Sequence, residues 1–179
     1  LTLEWMDLET PKGTTMELVT EYWRDDLVGF LLGCSYSFET ALLRANIPLR
    51  HQDENKIVSL YTTNVQCTPA GRFSGPMVVS MRPVKHEQVV RAVQVTSRFP
   101  ATHGAPVHIG DPALIGVDLE NTGFQTDYVA PRDGEVPVFW ACGVTPQVVA
   151  QASKPELMIT HYPGSMFITD LPSEQQASL

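Results

Sequence analysis

The chain has 179 residues, 43% hydrophobic and 18% charged, long enough for a single core that buries about two-thirds of the unfolded chain's surface. Twenty acidic against twelve basic side chains give a formal charge of −8, and no basic stripe relieves it, so nucleic acid is not an expected partner. The longest apolar run, residues 27–32, is far shorter than the roughly 20 residues that span a bilayer, so no membrane partner is expected either.

The three cysteines, Cys34, Cys67 and Cys142, form no CxxC pair, and no signal peptide is visible. A reducing compartment is the expectation: cytoplasmic, with the mitochondrial matrix as the alternative.

Residues 1–13 read as irregular, with Pro11-Lys12-Gly13 marking a turn. Tyr22, Leu27, Phe30 and Leu31 recur at helical spacing and predict a helix over 21–32, stopped by Gly33. Ser37 is the expected N-cap of a short helix over 38–45, with Glu39 in its first turn. Pro48 ends that unit, and residues 50–75 read as a loop with one short strand. Residues 77–81 are a β-prone run broken by Pro83. A helix is predicted over 87–98 with Val89, Val90 and Val93 facing inward, then a strand over 107–109. That order implies a parallel crossover. It returns with a strand over 136–141, a helix capped by Thr145 with Pro146 at its first position, and a strand over 157–160; residues 166–168 are a further strand candidate. The expected fold class is α/β, a mixed sheet with strand–helix–strand crossovers, in one domain over 1–179 with a motif-rich core at 76–170.

Three stretches carry residues suited to chemistry. The turn Gly143-Val144-Thr145-Pro146-Gln147 opens a helix N-terminus, where N–H groups and the helix dipole favour a carboxylate or an oxyanion; ordinary capping explains the same residues. The stretch from His103 to Pro112 holds two histidines and Asp111, which could orient His108 as a general base; a self-tied loop is the plainer reading, and the spacing fits no sharp metal template. His161 stands at a predicted strand end before Pro163-Gly164, where open α/β sheets place ligands, or is a surface residue of a hairpin. Arg82 could clamp a carboxylate or sit in an ion pair. Cys142 is a packing residue or a thiol beside a helix start, and Glu135 a candidate acid. Residues 33–37, with two serines and a tyrosine, could form a hydroxyl-rich pocket edge or a simple turn.

Read together, five stretches resemble one family. They are 23–39 (Trp23 through Gly33-Cys34-Ser35-Tyr36-Ser37-Phe38-Glu39), 75–83, His103 to Pro112, 134–147 and Thr160-His161 through Asp170. The set is similar to the bacterial putative hydro-lyases and to the N-terminal domain of animal D-glutamate cyclase. The resemblance implies an α/β fold of two intertwined subdomains, a further N-terminal region, and lyase chemistry on a small carboxylic or amino acid. The animal enzyme interconverts D-glutamate and 5-oxo-D-proline plus water. Phe124-Gln125-Thr126-Asp127 departs from the family by lacking its glycine while keeping Asp127, and Ser165 stands where many members have histidine.

The expected catalytic set is His108, Asp111, His161 and Glu135. Arg82, His103, Gly143, Thr145, Gln147, Cys142 and Asp127 are the expected substrate contacts. No metal or cofactor is expected; the partner is a small carboxylate, with homo-oligomerisation open. Two other readings stay open: a non-catalytic small-acid-binding domain, and a metal-dependent hydrolase using His103, His108, Asp111 and His161.

Overall fold

The computed structural model describes residues 3–6, 14–16, 20–161 and 166–178. In chain order its regular elements are β1 (Leu3–Met6), β2 (Thr14–Met16), α1 (Glu39–Arg44), α2 (Arg50–Asp53), β3 (Ser59–Gln66), β4 (Pro76–Lys85), α3 (Val89–Thr96), β5 (His108–Ile109), β6 (Glu135–Ala141), α4 (Thr145–Ser153) and β7 (Met158–His161). Short 3-10 turns join them. The content is mixed α/β, as expected.

The main sheet has the order β3-β4-β6-β5, and every neighbouring pair in it is antiparallel. β4 and β5 therefore run parallel, joined through α3, but β6 lies between them. The predicted crossover exists in direction and not in pairing. The second crossover fails, because β7 leaves this sheet and joins β1 and β2 in a separate antiparallel one, order β2-β1-β7.

β4 is the central element. Its residues alternate between two covered faces, which is why it reads as a continuous apolar run rather than as alternation. Val84, with Val138 and Trp140 of β6, packs against Phe38, Leu42 of α1 and Ala92 and Val95 of α3. Val79, Met81 and Phe139 face the other way, onto Tyr61, Ile115 and Val117. Each such buried side chain contributes roughly 1.5–3 kcal/mol. Val78, with Val58 and Leu60, meets Cys142, Val144 and Val148, which seats α4 on the β3–β4 end of the sheet.

Several local expectations are corrected. Pro83 does not break β4: it stands opposite Pro137 in the register, and the Pro137 carbonyl accepts from Gly110 on the β5 side. Neither ring nitrogen is needed in the β4–β6 ladder, so both prolines are tolerated. The segment 50–75, read as a loop with one short strand, contains the eight-residue β3 and also α2. On α3 the buried residues are Ala92, Val95 and Thr96, while Val90 is exposed. The helix predicted over 21–32 is absent: a 3-10 turn at Thr20–Tyr22 gives way to irregular chain, with Val28, Phe30 and Leu31 exposed. Residues 3–6, expected irregular, form β1, and the Pro11–Gly13 turn lies outside the described residues. Residues 166–168 form no strand, and Phe167 and Ile168 are exposed. At Phe124 and Gln125, where the family's glycine is lacking, φ is +60° and +55°, left-handed values that glycine adopts at less cost.

Candidate active site

Three segments far apart in sequence meet at the Ala141 end of β6. Gly33 fits so closely against 101–102 that a Cβ on it would stand 2.0 Å from the Ala101 carbonyl oxygen, and a Cβ on Gly143 would stand 3.4 Å from the Gly33 oxygen. Beside this junction opens a cleft of about 240 Å³. Its walls include Leu32, Cys67, Met77, His103, Cys142 and Thr145.

His103 is the polar group with the least to do there. It follows a 3-10 turn at Pro100–Thr102 and takes a left-handed φ of +79°. Its Nε2 atom is buried and has no hydrogen-bond partner. Burial lowers its pKa; the Gly33 carbonyl facing the ring opposes that shift, and the Arg82 charge adds to it. The ring is therefore neutral at pH 7, with one nitrogen able to accept a proton.

Cys142 sits on the same wall. Burial raises its thiol pKa, against the Val144 and Gly143 amides and the Arg82 charge, which favour the thiolate. Cys34 is raised for the same first reason, and the Tyr36 amide and Arg82 pull the other way. Both are protonated thiols at neutral pH.

Under the 33–36 segment lies a buried ionic cluster. Arg82 is 1% exposed and lies 5.4 Å and 5.5 Å from the centroids of the Phe38 and Trp140 rings. Its Nε donates to Glu39 Oε1 at 2.8 Å, one terminal nitrogen to Ser80 Oγ at 3.1 Å, and the other to Ser35 Oγ at 3.0 Å and to Glu39. Gln52 donates to the second Glu39 oxygen at 2.6 Å. His51 Nε2 lies 3.2 Å from Glu39 Oε1, close enough for an ion pair but not aligned as a hydrogen bond, and the Tyr36 ring stacks over it. Burial by itself would raise the Glu39 carboxyl; the nearby His51 and the Arg82 charge outweigh it and hold the group below its usual value.

This placement sorts the sequence candidates. His103, Cys142, Gly143 and Thr145 share the cleft, while Arg82 lies beneath it, committed to Glu39 and unable to clamp a substrate. Thr145 does not cap α4. Its hydroxyl accepts from the Val78 amide at 3.0 Å and donates to the Val78 carbonyl at 3.3 Å, tying the helix start to β4; Val144 is the N-cap residue. Ser37 caps nothing either, and Glu39 answers Arg82 rather than the helix dipole. Gln147 is half-buried on α4 and outside the cleft wall.

The His108–Asp111 pair is not a carboxylate-oriented base. His108 Nε2 bonds the Asp111 backbone oxygen at 2.7 Å, and the Asp111 side chain caps the Pro112–Ile115 turn through the Ala113 amide. Glu135 stands at the far end of β6, ion-paired with Arg50 and accepting from the Arg132 amide at 2.8 Å. Asp127 accepts from the Ile57 amide at 2.7 Å, a loop tie. His161 ends β7 in the other sheet, and residues 162–165, Ser165 included, lie outside the described residues. Among the described residues no three His, Cys, Asp or Glu side chains gather as a metal site. Among the described residues, too, no helix is long and apolar enough to cross a membrane.

Sequence reading gives His51 and Ser80 no role, takes Glu39 only as a first-turn helix residue, and takes Ser35 only as part of a pocket edge or turn. A signal was there: one arginine inside the apolar run of β4 needs a buried carboxylate, and Glu39 follows Phe38 in an equally apolar setting.

Comparison with known proteins shows the family. Residues 28–170 match the family described as D-glutamate cyclase. The chain is 63% identical over 158 residues to a putative hydro-lyase of Geobacillus kaustophilus, covering 88% of this chain and 60% of that protein. It is 61% identical over 162 residues to a putative hydro-lyase of Bacillus subtilis, covering 90% and 63%. A putative hydro-lyase of Psychrobacter arcticus is 59% identical over 162 residues, covering 90% and 61%. The chain thus spans about three-fifths of the length of the curated relatives it matches.

Proposed function

Since the chain belongs to the D-glutamate cyclase family, we propose that it performs hydro-lyase-type chemistry on a small carboxylic or amino acid at the His103–Cys142 cleft. Interconversion of D-glutamate and 5-oxo-D-proline is the first candidate. The observation that carries this reading is His103 on the cleft wall, with a buried Nε2 that has no hydrogen-bond partner. Water loss with ring closure needs one group that takes a proton and returns it. The substrate amine attacks the distal carboxyl carbon, and the N–C bond forms as the amine proton passes to His103. The same proton then goes to the departing hydroxyl, which leaves as water. The Gly143 and Val144 amides at the start of α4 supply donors for a substrate carboxylate or the developing oxyanion. His108, Asp111 and Glu135 serve as framework, not as acid and base. The proposed unit is a single domain, its site joining the 33–39 segment to the 76–170 core.

The test is proton NMR of the full-length protein with a pool of small acids that includes D-glutamate and 5-oxo-D-proline. New resonances with the natural protein, and a loss of about 100- to 10,000-fold with His103→Gln, are expected. Full turnover by His103→Gln removes the role; silence of the natural protein across the pool removes the reading.

A further inference from the structure

A buried ion pair is a poor stabiliser, because desolvating two charges offsets most of their attraction; well-packed apolar residues do as well or better. The Arg82–Glu39 cluster therefore calls for a reason beyond stability. Its contacts suggest one. Five polar side chains, Ser35, Glu39, His51, Ser80 and Arg82, are each at most 4% exposed and come from four separate segments. Arg82 joins three of the four: it holds Glu39 on α1, Ser80 on its own strand, and Ser35 on the segment that borders the cleft, while His51 on α2 meets Glu39. From Ser35 the chain runs back through Cys34 to Gly33. The Gly33 carbonyl faces the His103 ring, and the Gly33 backbone presses on 101–102 with no room for a Cβ.

We propose that Glu39, Arg82 and Ser35 are positioning residues, which lock the 33–36 segment so that the Gly33 carbonyl orients the His103 ring and leaves Nε2 as its unpaired nitrogen. None of the three touches the cleft itself. The order of action is Glu39 fixing the guanidinium plane, the guanidinium fixing the Ser35 hydroxyl, and the Ser35 backbone fixing the carbonyl two residues before it. A carbonyl on one face of an imidazole selects the tautomer with its proton there and leaves the other nitrogen as the acceptor. The charged or titratable groups near the ring are Arg82 below it and the thiols of Cys67 and Cys142 on the shared wall.

The inference rests on His103 being the proton carrier, but it has a readout that needs no turnover. In the full-length protein, the ring signals of His103 are followed by NMR from about pH 5 to 9, spanning the ordinary histidine range. Ser35→Ala removes the link between Arg82 and the segment while leaving the ion pair whole. The His103 midpoint is expected to move down, since the carbonyl that favours the protonated ring is no longer held. Ser35→Thr, which restores a hydroxyl, returns it toward the natural value. Arg82→Lys keeps the charge but cannot bridge Glu39 and Ser35 together, and it shifts His103 in the same direction. Ser80→Ala removes the 3.4 Å Ser35–Ser80 hydroxyl contact but keeps the 3.0 Å Arg82–Ser35 bond, and it leaves the midpoint in place. Where turnover is measurable, Ser35→Ala lowers kcat about tenfold, one hydrogen bond's effect, with KM within about twofold. A natural His103 titration in both Ser35→Ala and Arg82→Lys overturns the proposal. A shifted midpoint in a protein that converts no acid in the pool upholds the positioning and overturns the functional reading instead.

Discussion

The two ends of β6 present two polar clusters with opposite characters. At the Glu135 end, Arg50 joins Glu135, Glu54 and the Ala130 carbonyl, and Arg132 and Lys56 complete the set; each Arg50 nitrogen has an acceptor. At the Ala141 end, every Arg82 nitrogen likewise has an acceptor, but His51 beside Glu39 has no hydrogen bond at either ring nitrogen, His103 keeps a free nitrogen, and two protonated thiols line up nearby. Saturated polar groups hold a structure; a group that is buried, polar and still unpaired has been left free for something else. The lesson is that charge density alone does not mark a site. The Glu135 end is the more charged, and the unpaired imidazole nitrogens stand at the other.

Substitutions can break or sharpen this contrast. The largest effect expected is on rate: His103→Gln abolishes most turnover, while Glu135→Gln leaves it within about threefold, because a general base contributes roughly 100- to 10,000-fold and a framework contact does not act on the reaction. Equal losses from the two variants would erase the distinction between the ends. Next is stability. Arg82→Met strands the buried Glu39 carboxylate and costs about 3–5 kcal/mol in chemical denaturation, while truncating the exposed Arg132 costs at most about 1 kcal/mol. Gly33→Ala forces a methyl group against the Ala101 carbonyl and costs about 1–3 kcal/mol, with the cleft geometry disturbed as well. Tyr61→Phe removes the hydrogen bond to the Leu119 carbonyl and costs about 1 kcal/mol, away from either end.

Acid titration sharpens the same comparison. The Glu39 carboxyl is held below its unfolded value, so its contribution is present above about pH 4.3 and disappears as pH falls through the native value. His103 is also depressed, so the unfolded chain takes up its proton first. That contribution is whole above about pH 6.5 and falls away below it, down through the native value. Stability measured against pH should therefore decline in two stages on acidification, and His103→Gln should remove the upper one. Tyr61 acts at the other extreme. Burial pushes its phenol up to about 12, so its contribution holds below about pH 10 and is lost as pH rises through 12.

Parts of this were legible along the chain. The strands at 77–81, 107–109 and 136–141 and the helices at 87–98 and from 145 were found near their observed places, because short β-branched runs and capped helical stretches carry local signals. The helix read over 21–32 does not form: Tyr22, Leu27, Phe30 and Leu31 have the right spacing, but Phe30 and Leu31 are exposed and offer the helix no buried face. β3 is longer than the one short strand read within 50–75, because Ser59, Thr62, Thr63 and Asn64 look like loop, though the strand is buried along half its length where it pairs with β4. In the site, Gly143 and Cys142 were placed by the strand-to-helix turn. His108 and Asp111 looked like a dyad from their spacing of three. In the folded chain the backbone oxygen, not the carboxylate, meets the ring.

By itself, then, the sequence determined the mixed α/β content, the acidic surface, the family and the segments that would hold chemistry. Those follow from composition, local periodicity and short motifs. Only the tertiary structure decided that β6 enters between β4 and β5, that Glu39 reaches Arg82 across 43 positions of chain, and that His103 rather than His108 faces the cleft. The physical reason is range. Helix and strand propensities act over a few residues, whereas the pairing of a buried charge, or the freedom of one imidazole nitrogen, is fixed by sheet register and by which distant backbone carbonyl arrives beside it.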